Sequence, residues 1–154
     1  MDAITMLRDD HKAVKRLFRE FERLDDDDTQ SRRRLVDEII HELSVHAYIE
    51  EKVFYPAARA ASEETEDMVL ESLEEHHVVK WTLSELEEMP ADHERFKAKV
   101  TVLIESVQHH ADEEESDLFP SVRRGMGRKA LVELGEELAA AKADAPATPQ
   151  PRAA

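Results

Sequence analysis

Apolar residues recur along the chain in steps of three and four. In the first stretch they fall at Ile4, Leu7, Val14, Leu17, Phe18, Phe21 and Leu24, the stripe of a helix that buries one face. The acidic run Asp25 to Asp28 ends that helix, and Thr29 or Ser31 is positioned to cap a second, whose stripe is Leu35, Ile39, Leu43, Val53 and Ala57. Ser62 and the acids from Glu64 to Asp67 suit the positive end of a third helix, which carries Val69, Leu73, Val79, Leu83 and Leu86 and stops near Pro90. Asp92 is expected to cap a fourth, with Phe96, Val100, Leu103, Val107 and Leu118, ending around Pro120.

Long helices joined by short connections predict an all-α fold, an up-down-up-down four-helix bundle. Past Gly125 and Gly127, the segment from Lys129 to Lys142 predicts a short fifth helix packed across one end. One domain, 1–143, is expected to hold the whole bundle, and the Pro- and Ala-rich remainder, 144–154, to form a disordered tail.

The second and fourth helices repeat one another. HAYIEEKVFYP from His46 and HADEEESDLFP from His110 share His, Ala, two Glu and Pro at an offset of 64 residues. The first and third align at an offset of 65, pairing His11 with His76, Val14 with Val79, Lys15 with Lys80, Phe18 with Leu83 and Phe21 with Leu86. The bundle is therefore expected to consist of two repeated helical hairpins, with near two-fold symmetry for any site between them.

Composition narrows the chemistry. With 37% charged residues, 5% aromatics and 3 Gly among 154 residues, the balance favours long amphipathic helices over sheet. The 21 basic residues face 36 acidic ones, and the net charge of -15 repels phosphate backbones and anionic lipid heads, so neither nucleic acid nor a membrane is an expected partner. There is no cysteine, which excludes disulfides, thiolate metal sites and thiol catalysis. No stretch has the length and apolarity of a signal peptide or membrane span, so a cytoplasmic location is expected, and a monomer is the favoured state.

The informative positions are the polar ones inside the apolar stripes. The series Ile4, Leu7, His11, Val14, Phe18 puts His11 on the buried face, and the same stepping does so for His46 and Glu50, for His76, and for His110 and Glu114. Four imidazoles and two carboxylates thus face one interior. Two buried carboxylates are costly without a positive partner, and no Lys or Arg is expected in the seam to supply one. A buried polar network with no cation leaves the two HxxxE repeats unexplained; a pair of dications neutralises both Glu and accepts neutral imidazole. Donors of this type suit iron, manganese or zinc, and a paired site in a helical bundle points to iron or manganese, with iron the choice.

The order His, HxxxE, His, HxxxE resembles the hemerythrin-like (HHE cation-binding) family over the four helices, roughly Asp2 to Val122. The resemblance implies two Fe ions, oxo- or hydroxo-bridged, with Glu50 and Glu114 as bridging ligands. By the repeat symmetry His11 and His46 then serve one ion, and His76 and His110 the other. The chain departs from the oxygen-carrying members, which place two His four apart on the third helix and end on HxxxxD. Here Ser72 and Lys80 flank His76 at that spacing, and HxxxE closes the pattern. One ion is a His short, which turns the expected function from oxygen transport toward binding O2 or decomposing hydrogen peroxide, a catalase-like activity in a stress-related role. The alternative is an iron- or oxygen-sensing module, or an iron-binding one, without turnover.

Other residues carry weaker signals. His77 and His109 lie about 100° around the helix from the neighbouring candidate ligand and are read as flank residues, and His41 and His93 as surface ones. Glu51 and Glu115 repeat symmetrically and suit the role of orienting histidines, or of a solvated face. Tyr48, Tyr55 and Trp81 are read as packing residues, and the Asp25 to Asp28 run as a loop lacking EF-hand spacing.

Overall fold

The computed structural model describes residues 1–149, and among these every regular element is helical. Helix α1 spans Ala3–Glu22. Helix α2 runs as Thr29–Ile49, widens into a π-helical turn at Glu50–Phe54, and continues as Tyr55–Ala61. Helix α3 is Glu63–Glu88. Helix α4 repeats the design of α2, with Phe96–Glu113, a π turn at Glu114–Leu118, and Phe119–Met126. Helix α5, Arg128–Asp144, is the fifth helix expected from the sequence, and it packs against α1 and α2. Ala145 to Pro149 follow without regular structure; the rest of the expected tail, 150–154, lies outside the described residues.

Two helix starts differ from expectation. Asp28, the last residue of the acidic run, caps α2 by accepting from Ser31 N–H, so the cap precedes Thr29 and Ser31. Helix α4 begins at Phe96 with no side-chain cap, because Asp92 lies too far upstream and His93 Nδ1 accepts from Arg95 N–H instead. At the start of α3, where the sequence places acids suited to a helix dipole, Ser62 is the cap, in a reciprocal capping box with Thr65.

The π turns matter more. At each, a backbone N–H reaches back five residues, from Tyr55 to the Glu50 carbonyl and from Phe119 to the Glu114 carbonyl. The added residue re-phases the helix, so the second stripe does not continue through Val53 and Ala57 but shifts to the buried Phe54, Tyr55 and Ala58. It also explains why α4 does not end at Pro120. In a regular α-helix the proline ring clashes with the carbonyl four residues back; the widened turn draws that carbonyl away, and Pro56 and Pro120 both sit in the first turn of the resumed helix.

Two apolar clusters fill the bundle. One contains Phe18, Phe21, Ile39, Leu83, Phe96 and Val100. The other contains Ile4, Leu7, Phe54, Phe119, Leu131 and Leu138 and is closed over by α5. Where α5 crosses the N-terminus, Gly135 allows the close approach, since a Cβ there would stand 2.3 Å from the Met1 carbonyl oxygen. The candidate polar residues belong to neither cluster and form a layer within the bundle.

Candidate metal centre

All six seam residues named from the sequence are buried: His11, His46, Glu50, His76, His110 and Glu114 are each at most 7% exposed. They converge in two overlapping groups whose donor atoms lie within 4.8 Å of one another. His11, His46, Glu50 and Glu114 make one; Glu50, His76 and His110 make the other. Glu50 Oε1 stands 3.1 Å from both His46 Nε2 and His76 Nε2. Glu114 approaches His11 Nε2 at 3.2 Å through Oε1 and His110 Nε2 at 3.4 Å through Oε2.

Each histidine is fixed from behind. His11 Nδ1 pairs with Glu115 at 2.7 Å, His46 Nδ1 with Asp10 at 2.9 Å, His76 Nδ1 with Glu51 at 2.8 Å and His110 Nδ1 with Glu75 at 2.6 Å. A carboxylate at Nδ1 holds the proton on that nitrogen and leaves the Nε2 lone pair facing inward, the tautomer a metal requires. Glu51 and Glu115 were readable from their symmetry; Asp10 and Glu75 were not singled out. The signal was present, since the partners are sequence neighbours of seam residues and obey the repeat. Asp10 precedes His11 as Glu75 precedes His76, and Glu51 follows Glu50 as Glu115 follows Glu114.

The donor set fits a cation. His11 Nε2, His46 Nε2, Glu50 Oε2 and Glu114 Oε1 are buried with no hydrogen-bond partner among the described residues. Each such group costs about 1–3 kcal/mol, and imidazole nitrogen with carboxylate oxygen is a donor mixture suited to a divalent transition metal.

Two residues depart from the sequence expectation. The first is Lys80, which does occupy the seam: positions 72, 76 and 80 share one face of α3, so Ser72 and Lys80 are buried while Leu73 and Val79 are only partly so. Its Nζ donates to Glu51 Oε1 at 2.8 Å, and Glu51 in turn holds His76. Lys80 therefore neutralises Glu51, and among the described residues Glu50 and Glu114 form no ion pair with Lys or Arg.

The second is Tyr55, which does more than pack. Its hydroxyl donates to Glu114 Oε2 at 2.6 Å and lies 3.1 Å from His76 Nε2 and 3.3 Å from His110 Nε2, an oxygen beside the pair that lacks the additional His. Phe119 is its counterpart in the repeat and stacks at 5.9 Å on His11. The hydroxyl breaks the two-fold symmetry. His77 and His109 are exposed, as are His41 and His93.

Protonation shows what the cavity demands. Burial alone would lower the His46 imidazole, but Glu50 and Asp10 outweigh it and push it up to about 10. His110 rises to about 11 in the same way, burial being overcome by Glu114 and Glu75. Glu114 is held well below the ordinary carboxylate range, against its burial, by His110 and His11. Without a cation, protons therefore fill the positive role at neutral pH, and a metal must displace them. Metal binding is expected to release protons and to tighten by roughly tenfold per pH unit for each proton displaced, as pH rises from 6 toward 9. Titration with Zn²⁺ in weak buffer, followed by a pH indicator, measures this, and a pH-independent affinity contradicts it. The metal-free fold responds oppositely. Both imidazoles are raised above their free value of 6.5, so their contribution to stability is complete below pH 6.5 and is lost as pH climbs toward 10 and 11.

A cavity of about 40 Å³ adjoins the layer and touches all four histidines. Val14, Phe18, Leu43, Val79, Leu83 and Val107 give it largely apolar walls, with Lys15 and Lys80 also on the lining. No described helix is long and apolar enough to cross a membrane.

Known proteins resemble this chain in sequence and fold. The chain is 29% identical over 142 residues to a protein of Nostoc sp. named DNA nickase, covering 92% of this chain and 39% of that one. It therefore spans well under half of that relative. An uncharacterised hemerythrin-like protein of Schizosaccharomyces pombe is 27% identical over 145 residues, 94% of this chain and 70% of its own length. The crystal structure of a hemerythrin HHE cation-binding domain-containing protein from Mycobacterium kansasii superposes with a TM-score of 0.80 at 29% identity, over 94% of this chain and 86% of that one. Residues 2–122, the span of the four-helix layer with its converging histidines and glutamates, match the Hemerythrin HHE cation binding domain, and the chain belongs to that family.

Proposed function

We propose that the protein is a non-haem di-iron protein that binds O2 or decomposes hydrogen peroxide in a stress-related role. The observation that carries this reading is the set of four inward Nε2 atoms around two buried glutamates, beside a small apolar cavity. His11 and His46 would hold one ion, His76 and His110 the other, and Glu50 and Glu114 would bridge them. Such a pair supplies redox chemistry toward oxygen species when bound.

The protein's own residues supply the rest. Asp10, Glu51, Glu75 and Glu115 orient the imidazoles. The apolar walls exclude bulk water and leave room for about three water-sized groups, which suits a diatomic or a peroxide. Tyr55 donates its hydroxyl proton to Glu114 across an oxygen–oxygen distance of 2.6 Å on one side only, so the two ion positions would differ in the open coordination they offer.

Purified protein loaded with ferrous iron and then oxidised should contain about two irons per chain, show the near-ultraviolet absorption of a bridged ferric pair, and consume hydrogen peroxide. His46→Ala, which removes a donor from one of the two groups, should hold less iron and lose the bridged-pair absorption and the peroxide consumption. Absence of iron uptake by the native protein, with unchanged behaviour in His46→Ala, would overturn the reading. Iron-dependent stability without peroxide loss would favour the binding or sensing role instead.

A further inference from the structure

Helix α4 carries two HxxxE pairs one residue apart, in the sequence His109-His110-Ala111-Asp112-Glu113-Glu114. One residue is a turn of about 100°, so the pairs look in different directions. His110 and Glu114 face the buried layer. His109 Nε2 and Glu113 Oε1 meet at 3.1 Å on the outside, with side chains 68% and 42% exposed. The repeat does not require the outer pair, because the matching positions in α2 are the apolar Val45 and Ile49.

Glu75 on α3 joins the two. Its Oε1 holds His110 Nδ1 at 2.6 Å, and Glu75, His109 and Glu113 bring donor atoms within 4.8 Å of one another. A groove beside them is lined by Glu71, Glu75, Glu113 and Asp117 and reaches the buried Glu114. Among the described residues, no Lys or Arg is on its lining. The apolar cavity on the layer differs in kind, having Lys15 and Lys80 among its walls. One approach suits a cation, the other a neutral ligand.

We propose that Glu75, His109 and Glu113 form a surface site for a divalent metal ion, and that iron(II) captured there is delivered along the acidic groove to the buried centre. This rests on the di-iron reading above. One imidazole and two carboxylates match the donor preference of iron(II), while their exposure leaves water in the remaining positions, giving the weak, fast-exchanging binding a relay needs. The carboxylates raise the local cation concentration at the groove mouth. Glu75 belongs to both the outer site and the support of His110, so the last step of delivery is short.

The test is the rate of loading. Metal-free protein is mixed with iron(II) without oxygen, and uptake is followed by quenching with a chelator at timed intervals. The variant His109→Ala/Glu113→Gln alters only exposed side chains and leaves Glu75 in place. Its uptake is expected to slow by about tenfold or more, with the final iron content and ferric absorption unchanged. In protein whose buried centre is already filled with Zn²⁺, added Mn²⁺ should show a weakly bound ion by electron paramagnetic resonance, lost in the variant. Equal uptake rates, or no additional Mn²⁺ in the filled native protein, overturn the relay while the di-iron reading stands. Failure of both proteins to take up iron overturns the two together.

Discussion

Glu50→Ala is expected to empty both metal positions, not one. Glu50 is the residue common to the two donor groups, with Oε1 at 3.1 Å from a histidine of each and Oε2 free of any hydrogen bond among the described residues. Removing it takes away a negative charge that both cations need, and leaves His46 and His76 facing a hole. Loss of an outer partner such as Glu51 typically costs 10–100-fold in metal affinity, so loss of a shared ligand should cost at least about 100-fold. Glu50→Gln keeps the volume and removes the charge, and it should behave nearly as badly. His11→Ala, which touches one group only, should retain more metal than either. Iron analysis after desalting, with circular dichroism to verify the helices, decides this. Native iron content in Glu50→Ala would refute the shared role.

Cutting the chain after Gly127 should unfold it, although the family match ends before that point at residue 122. Helix α5 buries Leu131, Leu134 and Leu138 at 1%, 5% and 0% exposure against the cluster of Ala3, Ile4, Leu7 and Phe54. Losing a buried leucine side chain costs about 2–5 kcal/mol, and three together reach the whole stability of an ordinary domain, about 5–15 kcal/mol. The cut also removes Lys142, whose Nζ holds Asp10 at 2.9 Å behind His46. A thermal melt should show no cooperative transition, or one lowered by tens of degrees. A melting temperature equal to that of the full chain would show that α5 is an ornament on a self-sufficient bundle.

Much of this was legible because a straight helix is a regular lattice. Steps of three and four located the helices and made His11, His46, Glu50, His76, His110 and Glu114 conspicuous as polar residues on apolar faces. What was missed follows from departures from that lattice. On a regular helix Tyr55 points about 140° away from Glu50, so periodicity assigned it to packing; the π turn brings its hydroxyl round to the carboxylates. The same turn carried Val53 and Ala57 off the buried stripe. Lys80 was visible at four residues from His76, but burial of an ammonium depends on Glu51, which lies on another helix. Asp10 and Glu75 looked like any solvated acid, since a one-residue pattern does not reveal which face a neighbouring helix will cover.

The wide turns also bear on the history of the chain. Each adds one residue at the same place, directly after the glutamate of HxxxE and shortly before a proline, in halves that match at an offset of 64 residues. One insertion copied with the rest of a hairpin is a simpler origin than two independent insertions that happened to coincide. On that account the added residue is as old as the repeat itself. Tyr55 and Phe119, at matching places after the two turns, differ by a single oxygen, and that oxygen makes two otherwise equivalent ends distinguishable.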